Sequence, residues 1–304
     1  MIDVSKSVPV FEDIKRRKEE SLKALMQDQD IAQFVHVHRL SKAIVEDGWA
    51  ELLDYYDDHK QCLGCQSLES CPKVTKGVVR SLVYEEGHIG LDLKYCQYGK
   101  KKEQEQLILS HFLYNNVSRS LALHNLNHNQ FILNRNKLSD VNKLAIAEIL
   151  KFVNTPVGKG LFLTGESGSG KTVLMASMMN YLARHGYDVG ICHFPTFLLD
   201  MKAAFNSNDA DSYLKNILDI PYLLIDGLGE ENITSWSRDE VLLTILSYRN
   251  INNLTTFFTS MFDIEDLNDV YLLRRNDRTE KLRASKIGAK IQSMCIARHL
   301  EKIK

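Results

Sequence analysis

An apolar run over residues 160–164 ends in Gly165-Glu166-Ser167-Gly168-Ser169-Gly170-Lys171-Thr172, and a helical pattern begins directly behind it. This G-x-x-x-x-G-K-T order constrains the fold more than any other feature, because it works only between a buried strand and a helix N-terminus. In that setting the backbone N–H groups of residues 165–170 turn inward around phosphates, Lys171 reaches the outer phosphates and the Thr172 hydroxyl holds Mg²⁺. The dipole of the following helix adds to the same anion site. Eight-residue matches arise by chance in glycine-rich turns. Here the strand Gly160-Leu161-Phe162-Leu163-Thr164 and the helix expected over 173–184 supply the confirming context for a nucleoside triphosphate, ATP.

Farther on, Pro221-Tyr222-Leu223-Leu224-Ile225-Asp226 is an apolar strand ending in an acid. Asp226 would sit beside Thr172 and share the magnesium. Strand-like runs at 188–193, 222–225 and 255–259 alternate with helical runs at 197–205, 238–250 and 280–297. That alternation predicts an α/β domain, a parallel sheet covered by helices on both faces.

The residues around the expected γ-phosphate leave hydrolysis open. Gly227 follows Asp226 where many such ATPases carry a second acid, and Met261, a weak acceptor, stands where a polar side chain often senses the phosphate. Glu230 and Glu231, a few residues on, are both candidates to supply a carboxylate, with solvated loop residues an equal alternative; Glu231 is carried as catalytic with Lys171 and Asp226, and Ser260 is the substitute for Met261. An arginine finger would come from the basic stretch Arg274, Arg275, Arg278, Arg283, Lys286 and Lys290, where a solvated face explains the charges equally well.

Ahead of this domain, residues 11–60 read as charged amphipathic helix, and 78–84 with 89–95 read as a β-hairpin. Cys62, Cys65, Cys71 and Cys96 bracket the hairpin, and four of the six cysteines fall in this short region. No apolar stretch approaches the roughly 20 residues that span a bilayer, and the N-terminus lacks a signal-peptide core, so a cytoplasmic, reducing location is expected, without a membrane partner. There, clustered thiols point to Zn²⁺ before disulfides. His88 is an alternative to Cys71 or Cys96 as fourth ligand, and Cys192 and Cys295 are expected in the core. Residues 99–105, Gly-Lys-Lys-Lys-Glu-Gln-Glu, have linker composition. The expected organisation is a small, mainly helical zinc-binding domain over 1–98, a linker and lead-in segment over 99–137, and an ATPase domain over 138–304. A net charge of −1 neither announces nor excludes nucleic acid.

Together these residues resemble the DnaI-type primosomal proteins, bacterial helicase loaders of the AAA+ superfamily. The resemblance is carried by the cysteine pattern and by Ile225-Asp226-Gly227-Leu228-Gly229-Glu230-Glu231-Asn232-Ile233-Thr234-Ser235-Trp236-Ser237-Arg238-Asp239, which looks like that family's stretch from the acidic strand into a Trp-x-Arg-Asp helix start; Phe257-Phe258-Thr259-Ser260 looks like its sensor strand. The family has a second Asp at the position of Gly227 and an Asn at that of Met261. The resemblance implies an AAA+ P-loop domain that binds ATP and single-stranded DNA, with Lys290 in the region of a second sensor. It further implies an N-terminal domain that grips a replicative helicase of the DnaB family during primosome assembly and replication initiation, with other primosome proteins and further copies of the chain as partners. Set against loading stand an ATP-binding adaptor with little hydrolysis, a transposition-type ATPase helper and a P-loop small-molecule kinase.

Overall fold

The computed structural model describes residues 8–125, 138–204, 210–274 and 277–302, and the chain divides into two compact units, 1–104 and 105–304.

In the first unit, helices α1 (Val8–Leu25), α2 (Gln29–Val37), α3 (Lys42–Asp47) and α4 (Trp49–Lys60) precede a hairpin of β1 (Val78–Glu85) and β2 (His88–Tyr95). The single helical region expected over 11–60 is broken by caps: the Asp28 carboxylate accepts the Asp30 and Ile31 N–H groups, and Ser41 accepts that of Ile44. Leu22, Leu25, Ile31, Val45 and Leu52 from the helices close on Ile89 of the hairpin. The hairpin pairs in register from Val78–Tyr95 to Glu85–His88, as the alternating pattern predicts.

The segment expected as a linker is a helix, α5 (Gln97–Ser110), which runs from one unit into the other. Its polar composition reflects solvent exposure rather than disorder. Gly99 is a packing glycine: a Cβ there would fall 2.1 Å from the Gly77 carbonyl oxygen. The lead-in likewise holds structure, because β3 (Phe112–Asn115) pairs in parallel with residues 189–191 and α6 (Arg119–Ala122) packs on the helix over 171–184. The helix predicted from Ser118 to about Asn127 ends at Ala122, with Leu123 as its C-cap, and residues 126 and 127 lie outside the described residues.

The second unit continues with α7 (Asp140–Asn154), β4 (Gly160–Thr164), α8 (Lys171–Arg184), β5 (Val189–His193), α9 (Phe194–Ala204), α10 (Ala210–Leu218) and β6 (Tyr222–Leu228). A π-helical turn, Trp236–Leu242, leads into α11 (Leu243–Ile251), then β7 (Thr255–Ser260), α12 (Ile264–Val270), α13 (Arg278–Met294) and β8 (Cys295–His299). All six strands are parallel, in the order β3-β5-β6-β7-β4-β8. One apolar layer joins α9, α11, α12 and α13 to one sheet face, and a second joins α7 and α8 to the other. Both faces are therefore covered, which explains the near-continuous apolar strands.

The predicted α/β class holds, with one strand misread. Residues 295–297 were expected to end a helix over 280–297, but the chain leaves α13 at Met294 and pairs with β4 from Gly160–Cys295 to Thr164–His299. It lies at the edge of the sheet, and of its five residues Cys295 alone is fully buried. The Trp-x-Arg-Asp start has a structural task. Arg238, fully buried, donates to Asp239, to Glu280 on α13 and to the Tyr271 carbonyl, fastening the π-turn to the final helix.

Candidate nucleotide site

β4 ends between β7 and β8, so the loop at 165–170 emerges at the carboxyl edge of the sheet, where open parallel sheets bind ligands. Gly165 has φ +146°, and a Cβ there would lie 2.1 Å from the Leu300 carbonyl oxygen, so no other residue fits. Gly170, at φ +95°, turns the chain into α8, whose first residues are Lys171 and Thr172. Ser169 is buried and its hydroxyl has no hydrogen-bond partner among the described residues.

Lys171 is buried and donates to the carbonyls of Gly165 at 2.7 Å and Glu166 at 2.9 Å. Burial pulls its ammonium below the ordinary lysine range, against the opposing pull of Glu230 and Asp226. Thr172 Oγ1 donates to Asp226 Oδ1 at 2.7 Å, so the expected pairing of loop and acidic strand is formed. The same oxygen accepts from Thr259 Oγ1 at 2.6 Å, and Thr259 in turn accepts the Gly227 N–H at 3.0 Å. Thr259 escaped the sequence reading as an individual residue: its link to Asp226 depends on β6 lying beside β7.

Other expected residues stand elsewhere. Glu231 is buried and turned from the loop, its carboxylate taken by the Gly229 N–H at 2.8 Å and the Tyr271 hydroxyl at 2.6 Å. Burial pushes its carboxyl up, the hydrogen bonds opposing. Glu230 is exposed, and its charge together with that of Asp226 opposes the effect of burial on the Lys171 ammonium. Ser260 is no stand-in sensor, since its hydroxyl donates to the Leu228 carbonyl and accepts the Phe262 N–H. Met261 is partly exposed. The Lys290 side chain makes no hydrogen bond or ion pair among the described residues; only its carbonyl is engaged, by Ser293. Arg283 of the basic stretch pairs with Glu280 and Asp239, and Arg275 lies outside the described residues.

A C-terminal strap closes over the loop, which no sequence signal marked. The Leu300 N–H donates to the Thr164 carbonyl, and the Asn142 amide exchanges two hydrogen bonds with the backbone of Glu301. Lys302 is thereby brought to Gly168, its Cε 3.3 Å from where a Cβ would stand.

In the first unit the four cysteines are reduced and half-buried, but among the described residues no group of three or more His, Cys, Asp or Glu side chains is arranged to hold a metal. The geometry of the described residues thus gives the expected tetrahedral zinc centre no direct support. Each sulfur has a local partner instead: Cys65 donates to the Ser67 carbonyl, Cys96 accepts the Gly99 N–H, and Cys62 meets Lys73. Backbone N–H groups of Gly77 and Lys73 lower the Cys71 thiol. His88 faces Asp47 on the exposed hairpin end. Cys192 and Cys295 are buried as expected, and burial pushes both thiols up.

Residues 115–273 match the family model described as IstB-like ATP binding protein, and residues 3–95 match that of the primosomal protein DnaI N-terminus. The replicative helicase loader DnaI of Bacillus subtilis is 27% identical over 290 residues, 92% of this chain and 90% of the relative. A crystal structure of DnaI, 29% identical, superposes with a TM-score of 0.53 over 62% of this chain and 97% of its own. A putative primosome component from Streptococcus pyogenes, 26% identical, does so with 0.51 over 65% and 97%. No helix among the described residues is long and apolar enough to cross a membrane.

Proposed function

The chain belongs to the IstB-like ATP-binding protein family, whose model covers more than half of it, and on that premise we propose that it is an ATP-dependent loader of a DnaB-family replicative helicase onto single-stranded DNA. The observation that carries this reading is the order of parts: a DnaI N-terminus precedes the ATP-binding unit, and similarity to the B. subtilis loader runs through both. An IstB-like unit alone would suit a transposition helper equally; the DnaI N-terminus favours loading.

The second unit is read as an AAA+ ATPase whose residues fit a triphosphate. Loop N–H groups and the Ser169 hydroxyl would receive the phosphates, Lys171 would exchange neutral carbonyls for phosphate oxygens, and Thr172 with Asp226 would hold magnesium. Bound magnesium would neutralise charge on the β- and γ-phosphates. Nucleotide then acts as a switch between two conformations, each with its own affinity for helicase or DNA. The first unit grips the helicase, other primosome proteins and further copies of the chain join the assembly, and the setting is cytoplasmic. Zinc in the first unit is part of the same proposal, supported by four reduced cysteines in one loop system and a lowered Cys71 thiol.

The test is co-purification of the full chain with the organism's DnaB-family helicase, with and without ATP, followed by helicase transfer to single-stranded DNA. Stable capture and ATP-stimulated transfer are expected. A chain that captures no helicase under either condition is not a loader. Metal analysis of the same preparation should find about one zinc per chain, lost in Cys62→Ser.

A further inference from the structure

Gly227 leaves the acidic strand without the second carboxylate, yet its space is not left to solvent alone. A Cβ built on Gly227 would have ordinary contacts with three groups: His193 Nε2 at 3.5 Å, Pro195 Cδ at 3.5 Å and Glu230 Oε2 at 3.6 Å. A carboxylate oxygen from three residues downstream thus stands within van der Waals contact of where a side chain at 227 would begin. The turn that brings it back is hydrogen-bonded, with the Glu230 N–H donating to the Gly227 carbonyl at 3.1 Å. His193 is fixed on the other side, its Nδ1 2.8 Å from Thr196 Oγ1 and its backbone paired beside Asp226 across β5 and β6.

Three other acids near the loop are committed. Asp226 receives Thr172 and Thr259, Asp263 receives Thr164, and Glu231 is held by Gly229 and Tyr271. Glu230 is exposed, its carboxylate lies beside Gly227, and its charge, like that of Asp226, favours the ammonium form of Lys171. Resting on the reading that ATP binds at Lys171, we infer that Glu230 replaces the missing acid after Asp226 and orients the water that attacks the γ-phosphate. In that step the water oxygen bonds to the γ-phosphorus and the bond to the β–γ bridging oxygen breaks. ADP leaves with the electron pair, and the water proton passes to the Glu230 carboxylate and on to solvent. The absence of an acid at 227 is therefore compensated rather than disabling.

The experiment compares full-length wild type, Glu230→Gln, and Glu230→Gln with Gly227→Asp. Aspartate tolerates the left-handed backbone at 227, where φ is +75°, and the contacts there leave it room. Three quantities are read: equilibrium affinity for a fluorescent ATP analogue, steady-state turnover, and the ratio of ATP to ADP bound after incubation. Loss of a positioned base should slow turnover of Glu230→Gln about 100-fold. Its affinity should stay within about twofold, with bound nucleotide remaining ATP, and Gly227→Asp should restore about tenfold of the lost rate. Wild-type turnover in Glu230→Gln, affinity falling in step with rate, or a wild type that binds ATP without hydrolysing it would each overturn the inference while leaving ATP binding intact. A wild type that binds no ATP would instead remove the reading beneath it.

Discussion

In the folded chain the Lys171 ammonium donates to two carbonyls of its own loop, so phosphate competes for it with neutral acceptors rather than with a carboxylate. Charge-assisted bonds to phosphate oxygens are the stronger ones, which favours the exchange. Ligand binding to the native state alone stabilises it, by about 2.7 kcal/mol at a hundredfold excess over Kd. ATP with magnesium should therefore raise the unfolding temperature of wild type at saturating concentration and leave Lys171→Ala unmoved. An equal shift in the variant, read by a thermal melt, would show that the nucleotide sits elsewhere. Asp226 was legible because a strand-ending acid downstream of a phosphate loop has one obvious task. Glu231 was misassigned because two adjacent glutamates look alike in one dimension, while the turn at Gly227 and Gly229 sends one to solvent and the other to Tyr271.

At the scale of elements, single polar side chains decide how helices and loops are joined. Asp58 of α4 accepts Lys73 Nζ at 2.6 Å and the Arg80 N–H at 2.9 Å, tying the cysteine loop and the hairpin to the helix. Burial works to raise the Asp58 carboxyl, but the Lys73 and Arg80 hydrogen bonds outweigh it and hold the group below the usual carboxylate range. A carboxyl depressed in the native state contributes stability above its unfolded pKa and loses it as pH falls through the native one. Asp58→Asn should thus cost roughly 2 kcal/mol near pH 7, the scale of a hydrogen bond to a charged group. The difference from wild type should shrink below about pH 4, where the unfolded carboxyl titrates. Denaturant melts across that range check this, and a pH-independent difference would contradict it. Arg249 works similarly in the second unit, where its buried guanidinium donates to the carbonyls of Leu218, Ile220 and Thr255 and to the Thr256 hydroxyl, fixing the approach to β6.

For the whole molecule, three separate apolar clusters, one in the first unit and one on each face of the sheet in the second, predict two unfolding events. Calorimetry of the full chain should resolve two transitions, of which ATP with magnesium raises only that of residues 105–304. One transition shifted as a whole would mean that α5 couples the units into a single cooperative body. The division itself was only partly readable. Composition marked residues 99–105 as a break, yet a solvated helix and a linker share the same polar residues, and the packing of Gly99 on Gly77 tells them apart. β3 was unreadable for a related reason: four residues at a sheet edge carry too short a pattern to announce a strand.

Sequence by itself determined what depends on local order: the loop between strand and helix, the acid in the second half of β6, the hairpin of the first unit and the alternation that makes a parallel sheet. These follow from the 3.6- and two-residue periods and from the glycines a phosphate loop needs. Tertiary structure alone decided what depends on strands distant in sequence becoming neighbours. β6 against β7 gives Thr259 to Asp226, β8 against β4 brings the strap to the loop, and β5 beside β6 sets His193 across from Glu230 at the place where Gly227 has no side chain. A side chain's partners across a sheet are fixed by strand order, and strand order is a property of the packed core, not of any one segment.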